Sequence, residues 1–294
     1  MRKIFYFAMV AVTAIFAGCA NDEDALLPND SLKDTPINVD VLVSGINTRA
    51  GYDNTSLPTM FYLSIDQKDT KYDYNVVMKH EGDTWVAYGS ADENAATKQL
   101  LWEGSKDNVT VTAATFSLSD ASTTLNVQTD QSTAEAVKAS DHLYYYSNAI
   151  TPSTGGISLE LNHIMSKITV KLTLGTEYEA SATNPITSVT AFGASTDATY
   201  SPGAGTPWSA ESNVSKITLF PSVEYNTVNR TVTYEAILVP QTIAANAFGI
   251  EIRIGEKTYE WKSAAAFTLT GGTNHTLEMT VGKPVGNASS ANIN

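Results

Sequence analysis

The sequence predicts an all-β protein of two tandem β-sandwich domains. Three observations carry that prediction. Thr, Ser, Val, Ile and Tyr abound and long Leu/Glu/Lys/Ala helical repeats are missing, a composition suited to pleated sheets. Short runs with apolar residues at every second position recur along the chain, separated by turn residues. Regularly spaced strands of that kind build sandwiches. Finally, 294 residues are enough for two domains, and a hydrophobic content of 43% can fill their cores.

Charge and cysteine usage narrow the function. A formal net charge of −13 repels phosphate backbones, which argues against a nucleic-acid partner. Cys19 is the single cysteine, so neither an intrachain disulfide framework nor a multi-cysteine zinc site is available.

The N-terminus reads as an address. Residues 1–18 carry Arg2 and Lys3 and then a short apolar core, the pattern of a secretory signal peptide. That core is too short for a convincing membrane span. It ends in Phe16-Ala17-Gly18-Cys19. This resembles a bacterial lipobox, with Phe16 where leucine is usual, and Cys19 would then be lipidated and become the mature N-terminus. A plain signal peptide with a chance cysteine is the alternative. The acidic run Asn21-Asp22-Glu23-Asp24 resembles the surface-export signal of Bacteroidetes-type lipoproteins. Residues 19–36, polar and carrying Pro28 and Pro36, read as a lipidated acidic tether.

The first domain is expected over residues 37–175. Its first strand places Ile37, Val39, Val41 and Val43 on one face and Asn38, Asp40, Leu42 and Ser44 on the other, because side chains alternate along a strand. A polar segment with one isolated basic residue, Arg49, follows and continues into Ala50. Two readings fit: an ordinary first strand with a surface arginine, or a buried strand tied to the fold through a cuttable loop and removable as a unit.

Further strands are expected at 60–65, 74–79, 84–88, 99–102 and 109–116. Glu81-Gly82-Asp83 makes a tight turn between the second and third of these. Residues 132–140 form the best helical candidate, with Ser132 as cap and Glu135 three positions on. Residues 141–146 continue as a strand. The strongest strand signal runs from Ile157 to Leu161 and again from Ile168 to Leu172, interrupted by a bend or bulge at His163–Ser166.

The polar break at Thr176–Pro185 opens the second domain, residues 176–294. Strands are expected at 186–192, 216–220, 231–239, 248–254, 257–262 and 275–281. Asp197–Trp208 reads as a Gly/Pro-rich loop, and Ile254–Lys257 as a hairpin turn.

No catalytic, metal or cofactor motif is present. His80, His142, His163 and His275 have neither the spacing nor the carboxylates of a metal site, and each reads as a polar tip at a strand end. Asp66, Asp69 and Asp73 lack the glycine and terminal glutamate of a calcium loop. The run Tyr144–Tyr146 reads either as an aromatic platform for sugar or as a strand split between core and surface.

Several stretches together resemble the fimbrillin family, the surface fimbrial lipoproteins of Bacteroidetes-type bacteria. Leu159-Glu-Leu161-Asn-His163-Ile-Met-Ser166-Lys167-Ile168 is similar to its His-x-x-(Ser/Ala)-Lys-(Ile/Leu) strand. Ser140-Asp141-His142-Leu143-Tyr144 and Ala236-Ile-Leu238-Val239-Pro240-Gln241 are similar to two further segments. Phe267 to Lys283 resembles its final hairpin.

The lack of a catalytic triad, metal cluster or paired-carboxylate motif argues against an enzyme, and the resemblance implies two transthyretin-like β-sandwich domains. It also implies a maturation route: an outer-membrane lipoprotein, lipidated at Cys19 (palmitate included), is cut after Arg49 by an extracellular trypsin-like protease. Release of residues 19–49 would vacate the pockets of Ile37, Val39, Val41 and Val43, and a strand of another fimbrial subunit, the same or a related protein, would fill them. The mature protein would then sit in a cell-surface fimbrium. The donor strand is expected at the C-terminus, yet the tail after Val281 contains Gly, Pro and few large apolar residues. A tip or accessory subunit, or a non-polymerising lipoprotein that binds glycan or host protein, is therefore the alternative.

Overall fold

The computed structural model describes residues 31–45, 51–91, 98–178, 183–203 and 207–282. In chain order the strands are β1 (Val39–Ser44), β2 (Met60–Asp66), β3 (Tyr74–Glu81), β4 (Thr84–Tyr88), β5 (Val109–Ala114), β6 (Thr123–Asn126), β7 (Leu143–Ile150), β8 (Ile157–His163) and β9 (Ser166–Leu174). They continue as β10 (Ile186–Phe192), β11 (Asp197–Tyr200), β12 (Trp208–Ala210), β13 (Ile217–Thr218), β14 (Phe220–Asn226) and β15 (Thr231–Leu238). The last are β16 (Gln241–Ile243), β17 (Gly249–Ile254), β18 (Lys257–Lys262), β19 (Phe267–Leu269) and β20 (Asn274–Val281). One short α-helix, α1 (Ala134–Ser140), and a 3-10 turn at Thr70–Tyr72 are described among them. The fold is all-β, as its alternating pattern requires.

Two hydrophobic clusters organise these strands. The first lies inside one seven-stranded sheet of order β1-β8-β7-β5-β2-β3-β4. That sheet curls until its outer strands β1 and β4 approach each other. Phe61, Leu63 and Ile65 from β2, Val111 from β5 and Leu159 and Leu161 from β8 fill its interior, with Trp102 fully buried beside them. The second cluster lies between two four-stranded sheets, β13-β10-β17-β18 and β14-β15-β9-β20. Ile168, Val170 and Leu172 of β9 meet Val189, Ile250 and Ile252 from the opposite sheet there.

The apparent bulge at His163–Ser166 is the passage between the two clusters. Inward residues of β8 belong to the first and those of β9 to the second. Lys167 is buried at the start of β9, its Nζ 2.7 Å from a Glu235 carboxylate oxygen on β15. A lysine there needs such a partner, since an unpaired buried charge is costly.

Several expectations are revised. Thr133, not Ser132, caps α1 by accepting the Ala136 N–H; the Ser132 N–H is itself bound to Asp130. The 197–208 loop holds β11 and the start of β12; β11 pairs with β12 on one side and with β6 on the other. Residues 99–102 make an isolated bridge rather than a strand. The expected final hairpin is not one: β19 pairs with β16, and β20 runs parallel to β9. His163 is no exposed tip but 5% accessible. The turns at Gly82 and Gly255 are as read, each glycine with positive φ, 61° and 57°, where a side chain is disfavoured.

Candidate functional site

The site is built from β1 and what it covers. Ile37, Val39, Val41 and Val43 are all buried in the first cluster, and Leu32 joins them. The opposite face carries Asp40 and Leu42, the latter 51% exposed. Strand β1 lies at one end of the sheet order, parallel to β8. Val39, Val41 and Val43 sit opposite Ile157, Leu159 and Leu161, so each inward valine stands in register with an aliphatic side chain of β8. Four such side chains contribute about 1.5–3 kcal/mol each when fully buried.

A second tie, invisible in the alternation, holds the run-in to β1. Asp34 N–H donates to the Trp102 carbonyl, Ile37 N–H to that of Leu100 and Trp102 N–H to that of Thr35, each at 2.9 Å. Residues 34–37 therefore run against 100–102, and the segment extends as one bound unit from Leu32 to Ser44. The Tyr72 hydroxyl donates to Asp34 Oδ1 at 2.7 Å. Above all that bond, with burial and the Asp34 charge, pushes the tyrosine up to about 12.

Gly156, ahead of β8, permits the close approach. Its φ is 81°, and a Cβ there would stand 2.2 Å from the Asn38 carbonyl oxygen. The Ile157 N–H reaches that same oxygen at 2.8 Å.

Past β1 the chain is pinned on both sides of residues 46–50. Gly45 lies against the His163 ring. Downstream, the Tyr52 N–H donates to Asp141 Oδ2 at 3.1 Å, while Asp141 Oδ1 pairs with His163 Nδ1 at 2.8 Å. Asn54 Oδ1 accepts the Val43 N–H at 2.8 Å. The buried Asp141–His163 pair thus serves both ends of the short connection that contains Arg49. Arg49, Ala50 and Cys19 lie outside the described residues. Burial, with the nearby Asp141 charge, raises the Tyr52 hydroxyl above its ordinary range.

The remaining candidates take ordinary places. Asp69 accepts the Lys71 N–H and Asp73 the Gln67 N–H, so both shape a loop. No cluster of His, Cys, Asp or Glu fit for a metal occurs among the described residues. No described helix is long and apolar enough to cross a membrane. Of the tyrosine run, Tyr145 packs on the first cluster and Tyr146 is 55% exposed.

A candidate cell-adhesion protein from Bacteroides ovatus superposes with a TM-score of 0.61 at 13% identity, over 89% of this chain and 96% of that one. A second, from Bacteroides uniformis, gives 0.56 at 13%, over 91% and 98%. At that identity the likeness is one of fold. A search of curated proteins gives no match. The family model described as fimbrillin-like matches residues 36–294. The chain belongs to the fimbrillin-like family.

Proposed function

We propose that this protein is a structural subunit of surface fimbriae, made as an outer-membrane lipoprotein and matured by cleavage after Arg49. Family membership supports a fimbrial-subunit or adhesin role at the cell surface, with other fimbrial subunits as partners. The finer reading rests on one observation: β1 is an end strand whose inward side chains fill the first core while its downstream connection is short and pinned on both sides.

Cutting that connection leaves β1 held by its ladder, its apolar contacts, the Val43–Asn54 bond and the ties of its run-in to residues 100–102 and Tyr72, with no covalent link downstream. The downstream residues stay fixed through Tyr52 and Asp141. Loss of β1 would expose an apolar groove lined by β8 and residues 100–102, with backbone groups on both sides seeking partners. A strand from another subunit satisfies both needs, through backbone ladder bonds and alternate side chains in the vacated pockets. Two transthyretin-like units belong to the same proposal; because β9 already contributes to the second cluster, their division is drawn at the His163–Ser166 passage, ahead of the expected boundary at residues 175 and 176.

The test is Arg49→Ala. The variant should fold as wild type, resist cleavage by a trypsin-like protease at this site and remain monomeric. Wild-type protein treated in the same way should yield oligomers. If Arg49→Ala assembles as well as wild type, the maturation scheme is wrong.

A further inference from the structure

We infer that the cleft between β12 and the β16–β19 ribbon binds a neutral glycan. It is an open surface cleft of about 750 Å³, within the span of small-ligand sites. Trp208 is its half-buried aromatic wall. Tyr200 lies behind Trp208, ring centroids 4.7 Å apart, and is itself edge-on to Phe116 at 6.0 Å and Tyr144 at 5.7 Å. The indole is thus held by a train of rings rather than free to turn. A flat, fixed ring with a negative face suits the C–H face of a pyranose, which is apolar and weakly positive.

The polar groups fit the same ligand. The Trp208 indole N–H makes no hydrogen bond to any described residue. Gly271 keeps the space next to it open, since a Cβ there would stand 3.3 Å from Nε1. Exposed Thr242 and Thr268, their hydroxyls 3.2 Å apart, also line the cleft. A donor beside a ring and a pair of hydroxyls match the hydroxyls around a sugar.

Charge selects the glycan class. The lining has no Lys, Arg, Asp or Glu. Its histidine, His163, is paired with Asp141, and burial, with Tyr144 nearby, pushes the Tyr200 hydroxyl up to about 12. An acidic or basic ligand would find no counter-charge, and the overall charge of −13 repels sialylated or sulfated sugars. This deepens the adhesin side of the proposed function and does not depend on cleavage at Arg49.

The experiment uses the uncleaved chain on an array of neutral and sialylated oligosaccharides, followed by titration of the neutral hits. Signal should be confined to neutral sugars. Trp208→Ala should weaken binding about tenfold or more, and Trp208→Phe, which keeps a ring but loses the N–H, by less. Thr268→Arg, at an exposed position, should block the cleft even if Trp208→Ala perturbs folding. Absence of binding at millimolar neutral sugar, preference for sialylated sugars, or equal binding by Trp208→Ala and Thr268→Arg overturns the assignment. So does a result in which these variants alter association between copies of the chain and no sugar binds. Arg49→Ala should leave the sugar titration unchanged, which separates failure here from failure of the strand-exchange scheme.

Discussion

Strands β1 and β20 occupy matching places near the two ends of the described chain. Each stands at the end of a sheet order and runs parallel to its partner, β1 to β8 and β20 to β9. Their partners are consecutive strands. The anchorage differs. Strand β1 buries a full alternating face of aliphatics, with the run-in at 34–37 tied to a second segment. Strand β20 buries Met279 and Val281 and half-buries Leu277. It adds polar ties: Thr169 Oγ1 donates to Asn274 Oδ1 at 2.9 Å, and Lys171 meets Glu278 at 3.0 Å. The Lys171–Glu278 pair is exposed on both sides and adds little. One topological position therefore carries two different consequences. Vacating β1 leaves deep pockets that call for a replacement strand, whereas vacating β20 leaves a shallower face.

The largest expected effect comes from deletion. Four aliphatics at about 1.5–3 kcal/mol each amount to the whole stability of an ordinary domain. Removing residues 31–45 should unfold or oligomerise the first unit, and a synthetic peptide of residues 36–45 should restore it. Removing residues 274–282 should cost less and leave the first cluster protected. Hydrogen exchange followed by mass spectrometry reads both; equal loss of protection in the two deletions would erase the distinction.

Register supplies the next test. Val41→Asp puts a charge into the first core and should cost upwards of about 3 kcal/mol, while Leu42→Asp on the exposed face should stay within about 0.5 kcal/mol. Urea unfolding compares them directly. Similar costs for the two would mean that β1 is not seated as described.

Gly156→Ala is milder. Both the positive φ and the approach of the Asn38 carbonyl oppose the methyl group, for a loss of about 1–3 kcal/mol. Exchange protection should fall in β1 and β8 and stay unchanged in β20.

The smallest effect is a titration. Tyr72 has a folded pKa raised to about 12, chiefly by its bond to Asp34, against an ordinary value near 10. A raised folded pKa gives stability that is complete below pH about 10 and is lost as pH climbs toward 12. Asp34→Asn should move the tyrosine back toward its ordinary range, visible by ultraviolet difference absorbance. A titration that does not move would place Tyr72 apart from the β1 run-in.

How much of this was legible depended on range. The inward face of β1 was plain from Ile37, Val39, Val41 and Val43, since alternation is local. The hairpin turns at Gly82 and Gly255 were plain because a tight turn needs their backbone freedom. Pairing partners were not, because periodicity marks which side chains face inward and not which strand lies alongside. The parallel partners of β1 and β20 and the apposition of 34–37 with 100–102 join residues far apart in sequence. Strands β11 and β12 escaped notice because they are short and lie in a Gly/Pro-rich stretch. His163 and Asp141 escaped as a pair because neither carries a local signal; one clue was the length of the motif from Leu159 to Ile168, which passes from one cluster to the other.

The removable status of β1 is tested most directly by sequencing the N-terminus of the protein sheared from cells. The account predicts a chain that begins at Ala50 and has lost residues 19–49. A chain that still begins with lipidated Cys19 would contradict it.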